Sequence, residues 1–246
     1  MTIVFSGVLP RRLIVMTVDS AVTNYFETHR EYDTGRKAYR FPGVGCVATW
    51  GARDTMLGRF FDKQNINAAQ HSIDDLADLV ERYLKQEFQP AKHNLEDVGY
   101  HVAGFDAEGD AHFFHIFWGV DRPGLGEPKV QKYSRKEEPI PRGKIGLFYG
   151  GRNDLAETVV RALIREVVEG RATRFRISTP VGLACFSDFV ARFAAELTPE
   201  VGPPFFTYLI SPNNGIKQIE NDNLCPISSE RVIQGLTDLG YTNLIR

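Results

Sequence analysis

Few features of the chain fix a function on their own. Its three cysteines, Cys46, Cys185 and Cys225, are spread over 246 residues and share no CxxC spacing. That pattern gives neither a disulfide framework nor a thiolate zinc site, and it suits a reducing compartment. No run approaches the roughly 20 apolar residues that span a bilayer. The N-terminus also lacks the basic-then-apolar order of a secretory signal, and Asp19 interrupts what would be its apolar core. Basic and acidic residues nearly cancel, 29 against 31, so charge offers no basis for a nucleic-acid or acidic-membrane partner. Neither a fixed-period repeat nor a low-complexity linker divides the chain. These absences leave a cytoplasmic protein with a single domain over 1–246, of which 221–246 forms a C-terminal helical extension, and with no nucleic-acid or membrane partner.

What is present is a strongly punctuated α+β pattern. Two strands are expected at Thr2–Val8 and Arg12–Val18 around the proline turn Leu9-Pro10-Arg11, and two more at Arg36–Phe41 and Val44–Trp50, the last stopped by Gly51. Met56, Leu57, Phe60 and Phe61 share one face of a short helix. From Ser72 as N-cap, Ile73, Leu76, Val80, Tyr83, Leu84 and Phe88 recur at helical spacing. Strands resume at Val98–Phe105 and Ala111–Trp118. A further pairing is expected between Val130–Ser134 and Ile145–Tyr149 across a polar Arg135–Gly143 loop, with Lys129, Lys132, Arg135 and Lys136 as its solvated edge. Helices follow at Asp154–Glu169 and Pro180–Leu197, the second opened by a cap and a proline at its first position. Phe205–Ile210 and Ile216–Glu220 flank an Asn-Gly turn, and Glu230–Leu239 is a last amphipathic helix. Paired strands alternating with paired helices imply a four-layer αββα sandwich, two antiparallel sheets between helix layers.

Three patterns that could be read as sites carry little chemistry. His112 and His115 are three apart on a strand, where a period of two puts them on opposite faces, so no metal is expected. Gly43-Val44-Gly45-Cys46-Val47-Ala48 has dinucleotide-like spacing but runs into a strand rather than a helix, and no cofactor is implied. Cys46, inside an apolar strand, reads as a core residue.

The N-terminus is more informative. Removal of Met1 exposes Thr2, and a threonine hydroxyl becomes a nucleophile when the free α-amine of the same residue serves as its base. That amine, with an ordinary pKa near about 8, is already partly neutral at neutral pH. A lysine beside it would lower its pKa further by like-charge repulsion, a carboxylate would keep that lysine charged, and a main-chain N–H would receive the oxyanion. Asp19, Lys37 and Gly51 follow Thr2 in an order that resembles that of N-terminal threonine hydrolases.

Placed on that element order, Thr2, Val18-Asp19-Ser20, Lys37 and Trp50-Gly51-Ala52-Arg53-Asp54 resemble the β-subunits of proteasomes and their bacterial relatives, of the N-terminal nucleophile hydrolase superfamily. The resemblance spans about Thr2 to Glu220. It implies a threonine peptidase with Thr2, Asp19, Lys37 and Gly51 as its catalytic set, acting on peptide or unfolded protein inside a homo-oligomeric ring, with an ATPase unfoldase as a possible partner. Two departures stand out. The family's Gly-Ser-Gly is replaced by Tyr149-Gly150-Gly151, and its Asp-x-x-Ser-Gly-Gly is absent from Thr198-Pro199-Glu200-Val201-Gly202-Pro203-Pro204, where Glu200 is the only acid on offer. An inactive subunit or assembly scaffold, and a small-amide hydrolase of the wider superfamily, are the alternatives.

Overall fold

Ile3–Leu9 (β1) is buried at every position, as expected of a strand covered on both faces. Its residues serve two cores in alternation. Val4 and Val8 face one side, while Ile3, Phe5 and Leu9 belong to apolar clusters on the other. The computed structural model of the protein describes residues 3–20, 22–23, 30–31, 37–51, 56–87, 97–121, 130–141, 143–151, 176–198, 201–221 and 226–241. Thr2, the expected helix at Asp154–Glu169, Glu200 and Cys225 lie outside them.

The remaining strands are Leu13–Val18 (β2), the short Val22–Thr23 (β3) and Arg30–Glu31 (β4), Ala38–Phe41 (β5), Gly45–Gly51 (β6), Val98–Phe105 (β7), Ala111–Asp121 (β8), Val130–Glu137 (β9), Gly146–Gly151 (β10), Phe205–Ile210 (β11) and Ile216–Asn221 (β12). Two five-stranded sheets result, ordered β10-β1-β2-β11-β12 and β5-β6-β7-β8-β9, with β3 and β4 pairing separately. All strand pairs in both sheets are antiparallel. Between the sheets lie Val4, Val8, Met16, Cys46, Ala48, Trp50, Ala103, Phe113 and Tyr208.

Helices Leu57–Gln64 (α1) and Ile73–Arg82 (α2) cover β5–β8 through Phe61, Leu76, Val80, Tyr100 and Phe114. Pro180–Leu197 (α3) and Ser229–Asp238 (α4) cover the other sheet through Leu183, Val232 and Leu236. The fold is therefore an α+β sandwich of four layers, with two antiparallel sheets inside. Each full burial of a large apolar side chain in these cores contributes about 1.5–3 kcal/mol. Among the described residues, no helix is long and apolar enough to cross a membrane.

Local chemistry sets the helix ends. Ser72 accepts from the Asp75 amide while Asp75 accepts from that of Ser72, a reciprocal capping box. After Arg82 the helix continues as a π turn over Tyr83–Glu87. Thr179 caps α3 by accepting from Gly182 N at 3.1 Å, with Pro180 at the first helical position. The Asn-Gly turn has a second role: Asn214 makes two 2.7 Å hydrogen bonds to the Phe105 main chain, and its carbonyl accepts from Gly43 N. The hairpin tip thereby joins one sheet to the other.

The expected β9–β10 pairing is corrected. β9 pairs with β8, and β10 crosses to the other sheet to pair with β1. Phe148 of β10 stacks on Phe113 at 3.9 Å between the sheets, and Leu147 and Tyr149 pack beside Phe5 and Phe186. β10 is the edge strand of that sheet, with apolar neighbours on both of its faces. Arg135 likewise lies in β9 rather than in a solvated loop, 2.6 Å from both Asp78 and Glu81.

Candidate active site

Asp19 follows the last residue of β2, and its side chain is fully buried. An ionised carboxylate can occupy such a place only if its oxygens are taken up by donors. Oδ1 accepts from the Ile3 amide at 3.1 Å and from Lys37 Nζ at 3.2 Å, and Oδ2 accepts from the Gly202 amide at 3.4 Å. The Ile3 nitrogen belongs to the peptide bond that follows Thr2, so Asp19 holds the chain one atom group away from that residue.

Lys37 approaches from the other sheet. Its carbonyl accepts from Thr49 N at 2.8 Å, which ties it to β6 two residues before Gly51, and its side chain is 9% exposed. Burial pushes the Lys37 ammonium below its ordinary value, with Asp19 pulling it back up. Burial also pushes the Asp19 carboxyl upward, against the pull of Lys37 and of the Ile3 and Gly202 amides. Burial thus works against the charged forms of both partners, and their mutual attraction and the two amides oppose it.

Gly51 ends β6 with φ +87°, a conformation that side-chain-bearing residues rarely adopt. A Cβ there would overlap the Asp97 carbonyl, just before β7. The neighbouring backbone therefore excludes a side chain at 51.

Two contributors escaped the sequence reading. Gly202 reaches Asp19 through its main-chain N–H and accepts from Ser20 N at 3.3 Å. The segment that lacks the Asp-x-x-Ser-Gly-Gly pattern therefore still meets the site, through backbone that leaves no side-chain signal. Trp50 is the other. Its indole lies where Cβ atoms of both Gly150 and Gly99 would fall, so the missing serine at 150 has a steric cause inside this chain. Gly150→Ser is expected to lower stability by about 1–3 kcal/mol through overpacking, read as a reduced urea midpoint. Adding Trp50→Leu should recover part of that loss.

His112 and His115 diverge as their spacing implies. His112 lies 2.9 Å from Asp106, and His115 packs on Trp50 between the sheets. Cys46 is buried in the apolar core between the sheets. Among the described residues, no group of three or more His, Cys, Asp or Glu side chains is arranged to hold a metal ion.

No family model and no curated protein matches the chain. Solved structures do. Anbu (ancestral beta-subunit) from Yersinia bercovieri superposes with a TM-score of 0.57 at 13% identity over 98% of this chain and 93% of that one. Anbu from Hyphomicrobium sp. strain MC1 gives 0.53 at 9% identity, over 99% and 98%. A Gly-1 mutant of that Anbu gives 0.52 at 11%, over 97% and 96%. The assignment to the proteasome β-subunit family is corrected accordingly. These similar structures are Anbu proteins, a distinct proteasome-like family, and at such identity the likeness shows the proteasome-like fold and no more.

Proposed function

We propose that the chain is an N-terminal threonine hydrolase that cleaves peptide bonds through Thr2 once Met1 is removed. The observation that carries this reading is the convergence on Asp19 of the Ile3 amide and Lys37, which directs the start of β1 to a buried lysine–carboxylate pair. Thr2 Oγ attacks the substrate carbonyl, and its proton passes to the Thr2 α-amine. Lys37 keeps that amine poised by like-charge repulsion, while Asp19 holds Lys37. Gly51 N–H stabilises the oxyanion, a contribution of about 3 kcal/mol in comparable sites. The scissile C–N bond then breaks, the departing amine takes the proton back from the Thr2 α-amine, and water hydrolyses the ester left between Thr2 and the substrate's acyl half.

A cytoplasmic homo-oligomer acting on peptides or unfolded protein belongs to the same proposal, as does a single domain over 1–246. An ATPase that delivers substrate would fit such an enclosed site. One observation favours the second reading, an inactive scaffold: Trp50 closes position 150 to the serine that the family resemblance implies there. Turnover of a fluorogenic peptide library beside a set of small amides separates the readings. Peptide cleavage supports the proposal, hydrolysis of small amides alone moves the chain to the wider amide-hydrolase class, and turnover of neither by a protein with free Thr2 supports the scaffold.

A further inference from the structure

The interior between the two sheets holds polar rings that the proposed reaction does not use. His101 of β7 is fully buried, with Nδ1 2.9 Å from the Ser6 hydroxyl of β1 in the opposite sheet. His115 of β8 stands next to it in register, the two rings 5.0 Å apart and nearly perpendicular. His115 in turn lies 5.5 Å from the Trp50 indole and 4.8 Å from Phe117. His115 Nε2 and Trp50 Nε1 are buried and have no hydrogen-bond partner among the described residues.

The surroundings suit neutral imidazoles and resist charged ones. From β1 the pair meets the Ser6 hydroxyl, and from β8 the Phe113 ring, 4.9 Å from His101. From β10 the Tyr149 main-chain carbonyl acts in the opposite sense, favouring a protonated His101, but burial outweighs it. From β6 come Trp50 and, in the same core, the Cys46 thiol. From β9 the charged group that bears on His115 is Lys136, its cross-strand neighbour, which has the same sign as an imidazolium. Two protonated rings 5.0 Å apart would add their own repulsion.

We propose that His101 and His115 form an acid-sensitive latch, docking the two sheets while both rings are neutral and releasing them when the rings take up protons. Burial holds His115 down to about 4 and His101 well below its ordinary value. The sign follows from linkage. The unfolded chain binds protons near about 6.5, so the stability these rings contribute is complete above that pH and is lost as pH falls toward about 4. The latch does not depend on the hydrolase reading, but it bears on it. Asp19 follows β2 of one sheet and Lys37 precedes β5 of the other, so undocking separates the pair at the candidate site.

The test uses the full chain and stability rather than activity. In a Trp118→Phe background Trp50 is the sole tryptophan, and its fluorescence follows thermal unfolding from pH 8 to pH 4. The unfolding midpoint should fall as the pH drops below about 6.5, and His115→Phe, which keeps an aromatic ring on Trp50, should lessen that fall by about 5 °C. Equal pH dependence in the two proteins overturns the latch. Should His115→Phe fail to fold, the imidazole proton resonances of the unsubstituted chain decide. Both rings staying neutral in the folded state down to about pH 5 upholds it, and titration of either near about 6.5 overturns it.

Discussion

Thr2→Ala is expected to abolish peptide cleavage and to leave folding unchanged. Alanine after Met1 preserves both removal of the methionine and the free α-amine, so the substitution deletes the nucleophilic hydroxyl alone. Position 2 precedes β1, whose buried run Ile3–Leu9 is unaltered by the substitution, and the Ile3 amide keeps its bond to Asp19. Thermal midpoint and oligomer size should match those of the unsubstituted protein while cleavage falls to background. Thr2→Ser, which restores a hydroxyl, should recover measurable turnover. Cleavage at the original rate by Thr2→Ala would end the proposal that Thr2 is the nucleophile.

Lys37→Ala is expected to lower the rate at least about 10²-fold, because in the proposed mechanism it removes the charge that tunes the Thr2 amine. The same change leaves Asp19 buried without its cation, and loss of one partner of a buried pair costs about 3–5 kcal/mol. Because burial already pushes Asp19 upward, the carboxyl can relieve part of that cost by taking up a proton. Rate and stability are therefore measured on the same preparation, with the rate normalised to the folded fraction. Lys37→Met offers an apolar stem of similar length as a check. An unchanged rate in either folded variant would remove Lys37 from the mechanism.

Much of the framework was legible because strand and helix punctuation is strong here. Pro10, the Pro42-Gly43 pair, the Asn-Gly turn, Ser72 and Thr179-Pro180 all lie at or beside ends of the elements they announce. The exchange of partners by β9 and β10 was not legible. Each is a strand with a plausible neighbour in sequence, and what decides between neighbours is which side chains of β10 find cover, a long-range matter.

The candidate site divides in the same way. Asp19 and Lys37 were chosen for chemistry that only side chains carry, and the fold brings them within 3.2 Å. Gly202 contributes an N–H that every residue but proline possesses, so no residue type could announce it. Trp50, Gly99 and Gly150 form one steric unit from three separate parts of the chain. Read singly, each glycine is an ordinary strand or turn residue, and the absent serine looks like a loss rather than room made for an indole.

The most direct measurement is the intact mass of the purified protein after treatment with a threonine-reactive β-lactone, with the adduct located by peptide mapping. Loss of Met1 together with a single adduct on Thr2 is the expected result. Retained Met1, or a processed N-terminus that takes up no lactone at Thr2, would contradict a catalytic threonine and leave the scaffold reading in its place.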